Sequence, residues 1–148
     1  VDVSAVLAVK IALFERIRAR LAPRGVSVTF GDPADQARTR SVWFGDTTES
    51  ELEPRALAPG RRKPTDLRAE VTIVASAIAP GDPINAERAV YGLRQEIEAA
   101  VLDDFDPGSV PGIQDVRPSR VTVTNGETGQ GTAATAEITV AIRAHLYA

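Results

Sequence analysis

The chain has 148 residues, enough for one domain with a real core, and its 43% hydrophobic and 25% charged content is that of an ordinary globular protein. A formal net charge of -3 argues against a protein whose main task is to grip the phosphate backbone of nucleic acid, which needs a basic face. The absence of cysteine removes disulfides, thiolate metal sites and cysteine nucleophiles together.

The first apolar segment, Val3 to Leu13, contains Lys10 and runs into Glu15, Arg16, Arg18 and Arg20, so it is too short and too charged to span a bilayer. Its positive charge follows the apolar run, the reverse of a signal peptide, and the expected setting is cytosolic. Val6, Leu7, Val9, Leu13, Phe14, Ile17 and Leu21 recur at helical spacing. Asp2 or Ser4 can cap this helix, and Pro23 with Gly25 ends it.

Val26 to Phe30 alternates as a half-buried strand and stops at Gly-Asp-Pro; Ser41 to Phe44 is a second short strand. Trp43 and Phe44 are adjacent, so in a strand they point to opposite faces: one packs inside, and the other meets a helix or a neighbouring subunit as a possible interface aromatic. From Leu67 the pattern resumes, with Leu67, Ala69, Val71, Ile73, Ala75 and Ala77 on one face and Arg68, Glu70, Thr72 and Ser76 on the other. Such a strand has one wet face and belongs to an antiparallel or mixed sheet covered on one side.

A second helix follows, capped by Asp82 with Pro83 in its first turn or by Asn85, with Ala86, Val90, Leu93, Ile97, Ala100 and Val101 as its apolar stripe. The last segment reads as two strands around a Gly-rich tip containing Asn125, Gly126, Gly129 and Gly131. In its second strand Ala136, Ile138, Val140, Ile142, Ala144 and Leu146 share a face. The sum is a single domain over residues 1–148, an α+β two-layer sandwich of a four- to five-stranded, mostly antiparallel sheet packed with two helices.

Chemistry is hard to place in this chain. The Asn-Gly-Glu-Thr-Gly-Gln-Gly stretch lacks the lysine and hydroxyl of a phosphate loop and is not followed by a helix. The single His145 sits on the polar face of the last strand beside Arg143 and Tyr147, and a transition metal would find no second histidine or cysteine. A general-base role for it would need an orienting carboxylate that the sequence does not place. Asp103, Asp104 and Asp106 read as a solvated loop with Phe105 tucked inward, and no catalytic, cofactor or metal site is expected.

One segment remains. Residues 47–66, TTESELEPRALAPGRRKPTD, show no apolar period, and such a long connection inside a small domain is a binding arm or a flexible loop. Glu49, Glu51 and Glu53 come first, then Arg55, Arg61, Arg62 and Lys63, a charge order suited to a complementary strip on a neighbour. An extended conformation would align the three glutamates on one side.

The order of these segments resembles a known family. A leading amphipathic helix, a long arm after SVWFGD, a strand feeding a helix in AEVTIVASAIAPGDPINAERAVYGLRQEIEAAV, and the closing hairpin VTVTNGETGQGTAATAEITVAIRAHL look like the tail terminator proteins of long-tailed bacteriophages. The resemblance spans nearly the whole chain and lies in element order, not in an invariant motif. It implies a non-enzymatic virion protein of the tail or neck, assembled in the host cytoplasm, without cofactor or membrane. Its subunits would form a ring, as a hexamer, that caps the tail tube protein, stops its polymerisation and joins the tail to the head connector or stopper protein. DNA would pass through the lumen without sequence-specific binding. The alternatives are another neck ring, such as a head–tail stopper or tail-completion protein, a small ligand-binding or enzymatic α+β domain using His145, and a generic non-viral two-layer dimer.

Overall fold

The computed structural model describes residues 4–32, 39–54, 65–128 and 131–146. Helix α1 spans Ser4–Leu21, and Val6, Val9, Leu13, Ile17 and Leu21 lie buried along one side of it. A 3-10 turn over Ala22–Arg24 carries Pro23, and Gly25 at φ 81° then returns its N–H to the Ala22 carbonyl at 3.1 Å. Only a residue that tolerates a left-handed backbone closes a helix this way, which is why the expected Pro-Gly stop holds. The cap expected from Asp2 or Ser4 involves a residue and a side chain outside the described set.

Five strands form one sheet among the described residues: β1 (Ser27–Thr29), β2 (Arg40–Pro54), β3 (Thr65–Ile78), β4 (Ile113–Thr128) and β5 (Gly131–Leu146). Their order is β1-β2-β3-β5-β4. β1 pairs with β2 in parallel, and every other pairing is antiparallel. The alternation legible in β3 and β5 is the cause of the layering. Leu67, Val71 and Ile73 of β3 join Ile138, Val140 and Ile142 of β5 in the core, beneath the helices. Alanines at 69, 75, 77, 134, 136 and 144 on the same face keep that surface low enough for helix α2 to lie across it. The α+β two-layer class expected from the pattern is the fold of the chain.

Helix α2 covers Pro83–Ala99 and ends in a π turn, Ala100–Asp104. Of the two candidate caps, Asp82 takes the role: its Oδ1 accepts the Asn85 backbone N–H at 3.1 Å, and the Asn85 side chain donates back to Asp82. Asp82→Ala should lower the unfolding free energy by about 0.5–2 kcal/mol in urea titrations, the usual loss for an N-cap. An effect within error of zero would show that Pro83 alone sets the start. Buried Ala86, Val90, Leu93 and Ile97 form its core stripe.

The two helix ends are tied by charge. Glu96 accepts from Arg20 at 3.0 Å and from Arg24 at 3.1 Å, and Arg20 also reaches Asp104 at 3.6 Å. These partly exposed pairs position the helices more than they stabilise them. The expected solvated loop at Asp103 to Asp106 is accordingly corrected. Asp103 and Asp104 belong to the π turn, and Asp106 caps a 3-10 turn by accepting the Gly108 N–H at 2.9 Å. Phe105 is buried as expected, which pulls the backbone around it into order.

Candidate interaction surface

Both helices pack on one face of the sheet, and the other face is bare among the described residues. Trp43 and Phe44 divide as alternation requires. Phe44 is completely buried beneath α1, while Trp43 is half-buried on the bare face, across the ladder from Val74.

The segment expected to be a structureless arm is the largest correction. Thr48 to Pro54 pair residue by residue with Val71 to Thr65, so residues 47–54 continue β2, and Thr65 and Asp66 begin β3. A register shift between Phe44 and Thr48 separates the core-packed start of β2 from this outer half. The outer half escapes sequence reading because both of its faces are polar or exposed, Leu52 included at 53% exposure, and so carry no period. Pairing with β3 holds it in place of burial. Arg55, Arg61, Arg62 and Lys63 lie outside the described residues.

Glu49, Glu51 and Glu53 do align on one face, as an extended chain demands. Their ladder partners on β3 are Glu70, Arg68 and Asp66 in that order. Glu49, Ser50, Glu51, Arg68 and Glu70 line an open cavity of about 690 Å³. A second cavity, about 270 Å³, is lined by Thr47, Glu49, Glu70, Thr72, Thr139 and Arg120, residues drawn from β2, β3, β5 and β4. Glu49 and Glu70, both on the bare face, line both cavities.

The hairpin tip is also corrected. Asn125 and Gly126 lie inside the β4 ladder, opposite Ala134 and Ala133, and the pairing runs on to Thr128 with Gly131. Asn125 is held there because its side-chain amide donates to Glu87 of α2 at 2.7 Å, so its usual turn preference loses to a contact with the helix layer. Gly131 opens β5 at φ 123°, and Gly129 lies outside the described residues.

His145 acquires the carboxylate that the sequence could not supply. Asp66 Oδ1 sits 2.6 Å from His145 Nδ1, both groups partly exposed, at the corner where β3 and β5 pair. Arg68, Arg143 and Gln114 complete the lining of a cavity of about 100 Å³. None of the described lining residues carries a hydroxyl or thiol nucleophile that the pair could activate. Among the described residues, no cluster of three or more histidine or carboxylate groups is arranged to hold a metal ion, and no helix is long and apolar enough to cross a membrane.

The edges of the sheet were not legible as functional surface. Beyond β1, the outer half of β2 has no strand on its far side among the described residues, and neither has any part of β4. Arg117 and Arg120 stand on the bare face of β4, opposite Ala141 and Thr139. Their signal lay in the charges of the RPSR stretch, uninformative until β4 was known to be an edge. No protein-family model matches the chain, and no curated protein matches it either.

Proposed function

We propose that this chain is a structural assembly subunit that closes into a ring, serving as the tail terminator of a long-tailed bacteriophage. In that role it caps the tail tube, ends its polymerisation and joins the tail to the head connector, while DNA passes through the lumen. One observation carries the reading: among the described residues a single sheet, helix-covered on one face and bare on the other, has an open strand edge at each side, β4 on one and the outer half of β2 beyond β1 on the other. Two different open edges are a heterologous pair of surfaces, and repeated head-to-tail use of such a pair generates rings or filaments. Helix α1 supports it by exposing Leu7 and Ile11 one turn apart, apolar area that a neighbour would cover.

The bare face suits a lumen. Carboxylates at Glu49, Glu51, Glu53, Asp66, Glu70, Asp115 and Glu137 outnumber the guanidinium groups of Arg68, Arg117, Arg120 and Arg143 on it. Such a wall repels passing phosphates on balance and does not hold them. The position of the ring among neck components depends on its partners, so a head–tail stopper or tail-completion ring is the nearest alternative. Imaging and native mass of the purified protein test the proposal: rings with a central hole are expected, and a monomer at the highest soluble concentration in low salt would sink it.

The Asp66–His145 pair beside Arg68 and Arg143 favours a second reading, a small ligand-binding domain that takes an anion at the corner of the sheet. It predicts that phosphate or a carboxylate shifts the His145 ring resonances in a saturable way. Unchanged resonances would remove it.

A further inference from the structure

Resting on the ring reading, we infer that the contact between subunits is a strand-to-strand junction in which Arg117 and Arg120 on β4 of one copy meet Glu49, Glu51 and Glu53 on β2 of the next. Three features of the sheet lead there.

The first is direction. β2 runs antiparallel to β3, β3 to β5, and β5 to β4, so β4 and β2 run in opposite senses at the two sides of the sheet. Placing β2 of a second copy along β4 of the first, with the two helix layers on the same side, continues the antiparallel alternation without a break. The backbone groups on both edges then gain the partners that unpaired edge strands lack.

The second is charge that is unbalanced within each molecule. Glu49 stands directly opposite Glu70, while Glu51 faces Arg68 and Asp66, opposite Glu53, is engaged by His145. Like charges facing each other across a ladder are destabilising, and a cation on the open side of β2 would relieve them. On β4, Arg120 faces Thr139 and Arg117 faces Ala141, so neither has a carboxylate across its own ladder. Arg117 pairs along its strand with Asp115 at 2.6 Å but stays 66% exposed. Within one molecule Arg120 and Glu49 line the same cavity, yet β3 and β5 lie between their strands and no ion pair joins them.

The third is the shape of the edges. β4 changes register between Ile113 and Asp115 and again between Pro118 and Arg120, then runs regularly from Arg120 to Thr128. Irregular edges resist indiscriminate pairing, so this rim takes a partner whose charge matches it and not any exposed strand. Pairing β4 with β4 of another copy would bring Arg117 and Arg120 against their own kind. The acidic β2 edge is the occupant whose charge fits.

The test is a charge exchange. One variant carries Arg117→Glu with Arg120→Glu, and the other Glu49→Arg, Glu51→Arg and Glu53→Arg, each checked for native circular dichroism. Wild-type protein is expected to form rings in low salt. Each variant alone should associate roughly tenfold more weakly or worse, because its two edges now carry the same sign. Mixed in equal amounts, the variants should reassemble, since every contact in an alternating ring again joins opposite charges. Wild-type rings that survive either reversal, or a mixture that fails to assemble, would overturn this junction and leave the ring reading standing. A wild-type monomer would sink the ring reading and the junction with it. A β4-to-β4 contact would reveal itself by leaving the Glu-to-Arg variant as associated as wild type, which also overturns the proposal.

Discussion

Replacing Phe44 with alanine is expected to lower the unfolding free energy by about 3–5 kcal/mol, the range for deleting a fully buried aromatic side chain. Phe44 has no exposed surface and stands where β2, helix α1 and the residue following β1 meet. Its ring stacks on Phe30 with centroids 5.8 Å apart and meets the edge of Phe14 at 6.4 Å. Phe14 and Phe30 make a further edge contact at 5.7 Å, and the Lys10 ammonium lies 4.8 Å from the Phe30 ring centre. Each aromatic pair adds about 0.5–1.5 kcal/mol beyond area burial, so truncating the shared member loses two pairs and leaves a cavity.

The damage should be local in origin and global in effect. β1 has only three residues and pairs with β2 at Ser41, Val42 and Trp43, just before Phe44. Without the Phe44–Phe30 stack, β1 keeps its three rungs of ladder, the packing of Val28 on the core and the Phe14–Phe30 edge contact, and loses its aromatic tie to β2. Trp43 is the only tryptophan and sits next to Phe44, so its emission during urea unfolding reports the change directly. A loss below about 1 kcal/mol would mean that the surrounding rings collapse into the space, and the central place given to Phe44 would be wrong.

The elements that sequence made legible are those whose stability comes from burying one face. α1, α2, β3 and β5 each show a period because each turns a stripe toward the core. The outer half of β2 shows none, since Thr48, Ser50 and Leu52 on its helix-side face are as exposed as the glutamates on the other. What fixes it is the ladder with β3, a long-range property that no local window contains. Asn125 and Gly126 misled for a related reason. Their dipeptide favours a turn, but the Asn125 bond to Glu87, 38 positions away, and the ladder with β5 outweigh that preference.

The site residues follow the same division. That Glu49, Glu51 and Glu53 would align was readable from a spacing of two. That Asp66 would meet His145 was not, because the residues are 79 positions apart and come together only through the β3–β5 register. Arg117 and Arg120 gain meaning only from the strand order, which puts β4 at the rim although it precedes β5 in the chain.

Gly131 is where a single added methyl group should do damage out of proportion to its size. Its φ of 123° lies in a region that side-chain-bearing residues rarely adopt, and a Cβ built there would come within 2.9 Å of the Pro80 Cα. Pro80 cannot move aside, because it follows Ala79, whose N–H donates to the Thr132 carbonyl at 2.9 Å and ties the end of β3 to the start of β5. Strain at such a backbone position costs about 1–3 kcal/mol, and overpacking against backbone adds a comparable amount. Gly131→Ala should therefore cost about 2–6 kcal/mol in thermal or urea unfolding. Gly92→Ala is the matched control: Gly92 lies inside α2, an added Cβ meets nothing within 4 Å, and the change should stabilise by about 0.5–1 kcal/mol. If both variants move stability in the same direction, glycine content and not the Pro80 contact governs the outcome. Opposite signs would locate the constraint at the junction where β5 enters the sheet, next to the helix α2 start that Asp82 caps.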